Sequence, residues 1–457
     1  MTQNVIGARF TIPWFGGRRA KEKEQPSVRA IGPVLVMVFS HLLMLYLFIA
    51  WRCHGGRLYY PRSIAEIPQF FAQLWSDLVQ HATPSWESAS VYLAFLLIQA
   101  AFAWVLPGPV VSGLPLPSEG GRRLTYRCNG LWSWYATLAL VALLHVTGIY
   151  PLQRIYEHAG ETMIVAMLVS NIIAVAVYVG AVRTGKTCRM TGNIFVDFFM
   201  GASLNPRIGS LDLKMWAETR VSWITLFLLT LGAAGHQYAT YGELGTPLIF
   251  MIVAHGLYAN ACMKGEECIP TTWDIFHEKW GWMLVFWNLA GVPFVYAFNS
   301  MYLASRPPFE HSWLYTAACF VLLLGAYYVW DTAQSQRNRF RMQLNGSYIE
   351  RKAFPQLPWG TLENPRYMDT AVGSKLLVDG WWAYARKIHY TADILMALSW
   401  GLICGFDHYL PFFYVTFFTI MIVHRNGRDV ARCRQKYGAD WDRYCERVPY
   451  VFIPYVY

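Results

Sequence analysis

The sequence predicts an all-α fold, a polytopic membrane protein of about ten transmembrane helices with both termini in the cytosol and a cofactor-binding pocket near its C-terminus. Three observations predict it. Of 457 residues, 55% are hydrophobic and only 14% charged, too little charge to cover the surface of a soluble protein of this size, so the bilayer is the solvent. Apolar runs close to the ~20 residues that cross a hydrocarbon core as helix recur along the chain. The basic residues, finally, alternate between the loops in the way cytosolic and non-cytosolic segments do.

The apolar runs fall near residues 31–50, 89–106, 131–150, 161–182, 219–235, 247–263, 281–303 and 313–332. A last pair, 393–405 and 410–424, is short for a span, and the intervening "GFDHYLP" reads as a tight hairpin turn. With the N-terminus placed in the cytosol, the tail, the even-numbered loops and the C-terminal segment hold 32 of the 38 Lys and Arg, and the odd-numbered loops hold 5. The net charge of +10 therefore gathers on one side, where it meets anionic lipid headgroups or an anionic cofactor. Nucleic acid is not an expected partner, because no basic aromatic module is present to read it.

The first 30 residues, with "GGRRAKEKEQ", form a basic cytosolic tail leading into an expected uncleaved signal anchor: the apolar run is too long for a signal peptide, and no small-residue cleavage site follows it. Nine cysteines are scattered without paired spacing, as expected of reduced thiols. No two of the twelve histidines lie within twelve residues of each other, so neither a di-iron nor a zinc site is expected. No G-x-G-x-x-G follows a strand, and the one G-x-x-x-x-G-K-[ST] match, Gly180 to Thr187, closes an apolar run of span length instead of linking a strand to a helix, so neither a Rossmann nor a P-loop nucleotide site is expected.

Polar clusters on the predicted cytosolic side remain. Residues 192–220 carry Asp197, Asn205, Arg207, Asp212, Lys214 and Glu218, either a salt-bridged interfacial loop or part of a site. In 254–282, Tyr258, Asn260, Glu266, Glu267, Asp274 and Glu278 crowd the end of a span; carboxylates are costly at membrane depth and tend to line cavities. Arg337 and Arg341 stand four apart on one helix face, as a snorkelling helix end also would.

The stretch "DGWWAYARKIHYTADILMALSWGL" (379–402) adds geometry. On one continuous helix, Trp382, Arg386, His389, Asp393 and Trp400 would lie within about 40° of a single line. Arg386 and Asp393 would be desolvated without partners on a lipid-facing surface, so the stripe is expected to line a hydrated, aromatic-walled cavity. Downstream, Arg425, Asp429, Arg432 and Lys436 make a second, mainly cationic stripe within about 40°. Two such stripes joined by a hairpin suit a ligand with a flat ring and phosphates, a dinucleotide.

Four segments, "LPGPVVSGLPLPSEGGRRLTYRCNG", "DFFMGASLNPRIGSLDLKMW", "LLVDGWWAYARKIHYTAD" and "RDVARCRQKYGADWDRYCERVPYVFIPYVY", resemble signatures of the eukaryotic sterol reductase family, ten-span membrane enzymes that include C-14, C-7 and C-24(28) reductases and the membrane domain of the lamin B receptor. The likeness runs from about residue 105 to the end. "LYANACMKGEE", "FWNLAGVPF" and "ARKIHYTAD" are similar to the C-24(28) branch; the C-14 and C-7 branches usually carry Gly-Asp-Leu where Trp287, Asn288 and Leu289 stand. Arg337 and Gln334 depart from the branch, which usually has Lys and Asn there.

The resemblance implies NADPH-dependent reduction of a sterol C-24(28) double bond, late in ergosterol-type synthesis, in the endoplasmic reticulum membrane. Carried over by position, Arg337, Arg341, Trp382, Arg386, His389, Asp393, Arg425, Asp429, Lys436, Tyr437 and Tyr444 would contact NADPH. Tyr258 would be the proton donor, with Glu266, Glu267 and Asp429 as candidate relay acids. The sterol would enter sideways from the bilayer, and association with other sterol-synthesis enzymes is implied as well. The chain would divide into the tail 1–30, eight spans with a sterol-facing region over 31–335, and an NADPH-binding region with two more spans over 336–457. A C-14 or C-7 reductase, an isoprenylcysteine-type membrane methyltransferase with a similar Tyr-rich ending, and a non-catalytic sterol-binding scaffold are the alternatives.

Overall fold

The computed structural model describes residues 26–456 except 117–118, 347 and 349–352; most of the predicted basic tail lies outside the described residues. The first apolar run folds as α1 (Pro26–Cys53). An amphipathic helix that the sequence reading did not anticipate, α2 (Ile67–Ala82), follows. α3 (Trp86–Val105) starts at a capping box in which Ser85 and Ser88 exchange side-chain to backbone bonds, satisfying amides that the first turn leaves open. Then come α4 (Gly130–Val146), the short α5 (Gln153–Glu157) and α6 (Ala159–Arg183). Large apolar side chains of α1 and α6, such as Leu35, Phe39, Leu168 and Ile172, point outward unpaired, as a lipid-facing surface requires.

Past α7 (Ile194–Met200) and the one-turn α8 (Leu213–Met215), the chain makes a π-helical turn at Trp216–Val221 that runs into α9 (Ser222–Tyr241). α9 lies at the centre of the molecule, packed against α5 and against α10 (Thr246–Lys264), which starts with Pro247 in its first turn. After α11 (Trp273–Phe276), the predicted seventh span is broken into α12 (Trp282–Phe286), a second π-helical turn at Trp287–Gly291, α13 (Val292–Tyr296) and α14 (Phe298–Ala304). The two π turns adjoin: the Ser222 hydroxyl donates to the Asn288 carbonyl at 2.8 Å, supplying a partner for an oxygen that the widened turn frees.

α15 (Trp313–Leu344) is 32 residues long, so one rigid helix carries side chains from the apolar interior out to the basic end. α16 (Ile388–Leu402), α17 (Phe413–Tyr437) and α18 (Ala439–Arg447) complete the chain. Among the described residues, strands form three two-stranded antiparallel hairpins in the connections. Each of the ten predicted apolar segments thus coincides with helical structure. Six of the helices, those within 30–53, 86–105, 159–183, 246–264, 282–304 and 313–344, are long and apolar enough to cross a membrane. α4, at 17 residues, and α16, at 15, fall short; α16 packs between α15 and α17, where protein neighbours reduce the need for length.

Candidate active site

Tyr258 sits on α10, and three neighbouring helices bring aromatic rings to it. Trp330 of α15 stacks on it at 5.0 Å between ring centroids, Trp223 of α9 lies at 4.9 Å and Trp400 of α16 at 5.9 Å. Tyr414 of α17 stacks on Trp400 at 5.1 Å and meets Tyr296 at 4.4 Å. Inside this box the Asp393 carboxyl faces the Tyr258 hydroxyl and the Trp330 indole, both positioned to donate to it. Among the described residues Asp393 has no ion-pair partner, and it retains accessible surface although the neighbouring Ala392 and Met396 are buried.

Two turns along α15 from Trp330, the surroundings become cationic. The Arg337 guanidinium lies over the Trp382 ring, 4.9 Å from its centroid, and Trp382 is fixed by its indole N–H on the Ala333 carbonyl at 2.9 Å. The charge of Arg337 acts on Arg341, Lys387, His389, Tyr390, Asp429 and Tyr444, contributed by α15, α16, α17, α18 and the segment before α16. Against these cations stands Asp429, which pairs with Lys387 and Arg432. The adjacent Arg337 charge pulls Arg341 below the usual guanidinium range. Burial pulls Lys387 down, although Asp429 works the other way. A cationic group lowered by a like charge lacks a nearby anion in full measure, and among the described residues the fully buried Nδ1 of His389 has no partner. Such a pocket can take phosphate oxygens and a hydrogen-bonding ring.

Of the residues singled out by sequence, Arg337, Arg341, Trp382, His389, Asp429 and Tyr444 come together here, and Tyr437 lies close enough for its charge to act on Arg341. Lys436 lies over the Tyr437 ring at 4.8 Å. Arg425 reaches sideways to Asp274 at 3.2 Å. The rest differs from expectation. Residues 379–402 are not one helix: a 3-10 turn at Gly380–Ala383 is followed by non-helical backbone before α16 begins at Ile388. There the Arg386 and Lys387 amides donate to the Tyr450 and Val451 carbonyls at 3.0 and 2.8 Å, and this pairing with the C-terminal segment replaces helical bonding. The Arg386 guanidinium donates to the Val448 and Pro449 carbonyls at 2.6 and 3.1 Å, so it braces the tail. Asp393 is separated from that stripe and belongs to the Tyr258 box.

Glu266 is wholly buried against Arg220 at 2.7 Å and accepts the Gly130 amide at 2.6 Å, which commits it to holding the start of α4 on the π turn before α9. Glu267 lies on the 3-10 segment Glu266–Thr271. The carboxyl that faces Tyr258 is Asp393. Lys387, Tyr390, Trp330 and Tyr414 were not singled out by the sequence reading; Lys387 adjoins Arg386, and Trp330 stands seven residues before Arg337 on the same helix, which is the signal that could have found them.

The fold and the site define a multi-pass helical membrane protein in which a buried tyrosine–carboxyl pair adjoins a cationic, aromatic-lined pocket. The chain belongs to the ergosterol biosynthesis ERG4/ERG24 family, whose pattern matches residues 20–457. It is 45% identical over 428 residues, 93% of this chain and 91% of the relative, to the Delta(24(24(1)))-sterol reductase erg4A of Aspergillus fumigatus. To the Delta(24(24(1)))-sterol reductase of Gibberella zeae it is 45% identical over 93% of this chain and 72% of the relative. A Delta(14)-sterol reductase of Methylotuvimicrobium alcaliphilum is 35% identical over 93% of this chain and 94% of the relative. These relatives are sterol reductases, oxidoreductases that act on carbon–carbon double bonds, and this chain is an enzyme of that class.

Proposed function

We propose that this protein reduces the C-24(28) double bond of a sterol with NADPH, in the endoplasmic reticulum membrane and late in an ergosterol-type pathway. What carries the choice of bond is the 45% identity to two Delta(24(24(1)))-sterol reductases, against 35% to a Delta(14)-sterol reductase over a similar length. The cofactor reading is supported by the chemistry of the donor set. Arg337, Arg341 and Lys387 would hold phosphate oxygens, Arg being suited to bidentate contact; Trp382, Tyr390 and Tyr444 would wall the rings, and the unpartnered Nδ1 of His389 would take a hydrogen bond. When bound, the nicotinamide supplies the hydride.

An isolated alkene resists hydride until it is polarised, so the protein's own task is to deliver a proton. Tyr258 would give its phenolic proton to C28, leaving the positive charge on the tertiary C24, where the hydride arrives. Unassisted, a phenol of pKa about 10 is a weak acid for this. Asp393, facing the Tyr258 hydroxyl, would return the proton to the phenolate as it forms, and the rings of Trp223, Trp330, Trp400 and Tyr414 would exclude water and stabilise the cation. Asp393 takes the relay role in this scheme in place of Glu266. The sterol would reach the box sideways from the bilayer, and ten spans with cytosolic termini remain the topology we propose. Sterol analysis by mass spectrometry after deletion of the protein tests the reading: a Δ24(28) sterol should accumulate, whereas accumulation of a Δ14 or Δ7 sterol would reassign the branch. In the purified enzyme, Tyr258→Phe should abolish turnover while leaving NADPH affinity near normal.

A further inference from the structure

One buried acid near the box has no part in this scheme. Glu218 stands on the π-helical turn Trp216–Val221, a local widening that often marks a functional position. Its neighbours Ala217, Thr219 and Arg220 are almost completely buried, yet Glu218 keeps accessible surface, so packing does not close it off. Among the described residues its carboxyl makes no hydrogen bond or ion pair. The cations around it are occupied: Lys214, one turn earlier, donates to the Asp274, Ile275 and Glu278 carbonyls at 2.7, 3.0 and 2.7 Å, and Arg425 of α17 holds Asp274 of α11 at 3.2 Å.

The position of Glu218 joins two regions. On one side are the Asp274–Arg425 pair, whose side chains are 28% and 51% exposed, and Asp212 and Lys214, all close enough for their charges to act on Glu218. On the other is Cys262 of α10, on which the charges of both Glu218 and Asp393 act. Cys262 is one turn from Tyr258 on the same helix and also retains accessible surface, and α10 packs against the π turn that carries Glu218. Each reduction leaves one hydride on C24 and one proton on C28, and the Tyr258–Asp393 pair is then one proton short. That proton must come from water, since the sterol product carries no acidic group to return it.

We propose that Glu218 refills the Tyr258–Asp393 pair, passing a proton from the exposed Asp274–Arg425 end inward along the Cys262 face of α10. Glu218 is then a positioning residue for proton supply and touches neither sterol nor cofactor. Burial, and then the Asp274 carboxylate, holds its carboxyl above the usual range, while Lys214 and Arg425 pull it down; a protonated donor near neutral pH is consistent with that role. The inference rests on the reductase reading above.

The test is pre-steady-state turnover of the full-length purified enzyme loaded with NADPH and mixed with a Δ24(28) sterol. In Glu218→Gln the first turnover should run at the wild-type rate, because Asp393 and Tyr258 start protonated. Later turnovers should slow by about tenfold or more, below the roughly 10²–10⁴-fold that loss of a directly acting acid costs. The solvent deuterium isotope effect on the steady state should rise, the KM for NADPH should stay within about twofold, and Glu218→Asp should recover part of the rate. A first turnover and steady state that fall together, or a variant with wild-type steady-state rate and isotope effect, would overturn the relay. Should Glu218→Gln not fold, Glu218→Asp must itself show a burst followed by a slower phase, and its absence refutes the proposal. If the wild-type enzyme forms no reduced sterol at all, the reductase reading has failed instead.

Discussion

Arg386 distinguishes a brace from a cofactor ligand, and the size of its effect follows from its contacts. Its guanidinium donates to the Val448 and Pro449 carbonyls at 2.6 and 3.1 Å; a third approach, to the Cys445 carbonyl at 3.5 Å, is too long to count. Hydrogen bonds from a charged donor contribute about 1.5–3 kcal/mol each, and ordering an Arg side chain offsets up to about 2 kcal/mol. Because the group is half-exposed, Arg386→Met should weaken docking of the C-terminal segment by about 2 kcal/mol, or roughly 30-fold in the docked-to-undocked ratio. The backbone bonds to Tyr450 and Val451 remain in the variant, so the tail should loosen without the protein unfolding. Hydrogen–deuterium exchange over residues 444–456 should accelerate by about that factor, and NADPH affinity should fall with it, since Tyr444 is carried on the same segment. Arg386→Lys, a point charge without the planar fork, should lie between. If the tail of Arg386→Met exchanges as slowly as wild type while NADPH affinity still collapses, the side chain is a direct ligand and the bracing argument is wrong.

Three further outcomes follow from the same geometry. Arg337→Gln should raise the Kd for NADPH by about 10–100-fold, the loss of one charge-assisted contact, while Arg337→Lys, which keeps the charge, should retain most of the affinity; a fluorescence titration reads both. Glu266→Leu leaves the buried Arg220 without its anion and should cost about 3–5 kcal/mol, seen as loss of folded protein, with Arg220→Met/Glu266→Leu recovering much of the yield and turnover tracking the folded fraction in each case. Burial opposes the charge on Asp429, but Lys387, then Arg432 and Arg337, outweigh it and hold the carboxyl below its usual range. The resulting stability is fully present above the unfolded pKa of about 3.9 and is lost as the pH falls through the lower folded value; in thermal melts between pH 3 and 6, Lys387→Met should shrink that acid limb.

The helices were legible because their signal is local. A run of apolar residues near span length states its own conformation, whatever it packs against. The cationic pocket was partly legible for a related reason: Arg337 and Arg341 share a face of one helix, as do Asp429, Arg432 and Lys436 of α17. What the sequence could not disclose is long-range pairing. The periodicity through 379–402 matches a helix, yet backbone bonds from Arg386 and Lys387 to a segment more than sixty residues away interrupt it, and that interruption turns Arg386 towards the tail. Glu266 and Asp393 look alike as carboxyls near spans. Only packing separates them, putting Arg220 of the first π turn on one and the Tyr258 hydroxyl of α10 beside the other. The second π turn, at Trp287–Gly291, has no periodic signature either, since a single extra residue per turn is invisible against an apolar background.

Addition of a hydride to C24 and a proton to C28 of a sterol is tested most directly by incubating purified enzyme with a Δ24(28) sterol and NADPH deuterated at the transferred C4 position, and in parallel with unlabelled NADPH in deuterated water, then locating the label by mass spectrometry and NMR. One deuterium is expected at C24 from the nucleotide and one at C28 from solvent, with the ring double bonds untouched. Label at C14 or C7, or nucleotide-derived deuterium at C28, would contradict it.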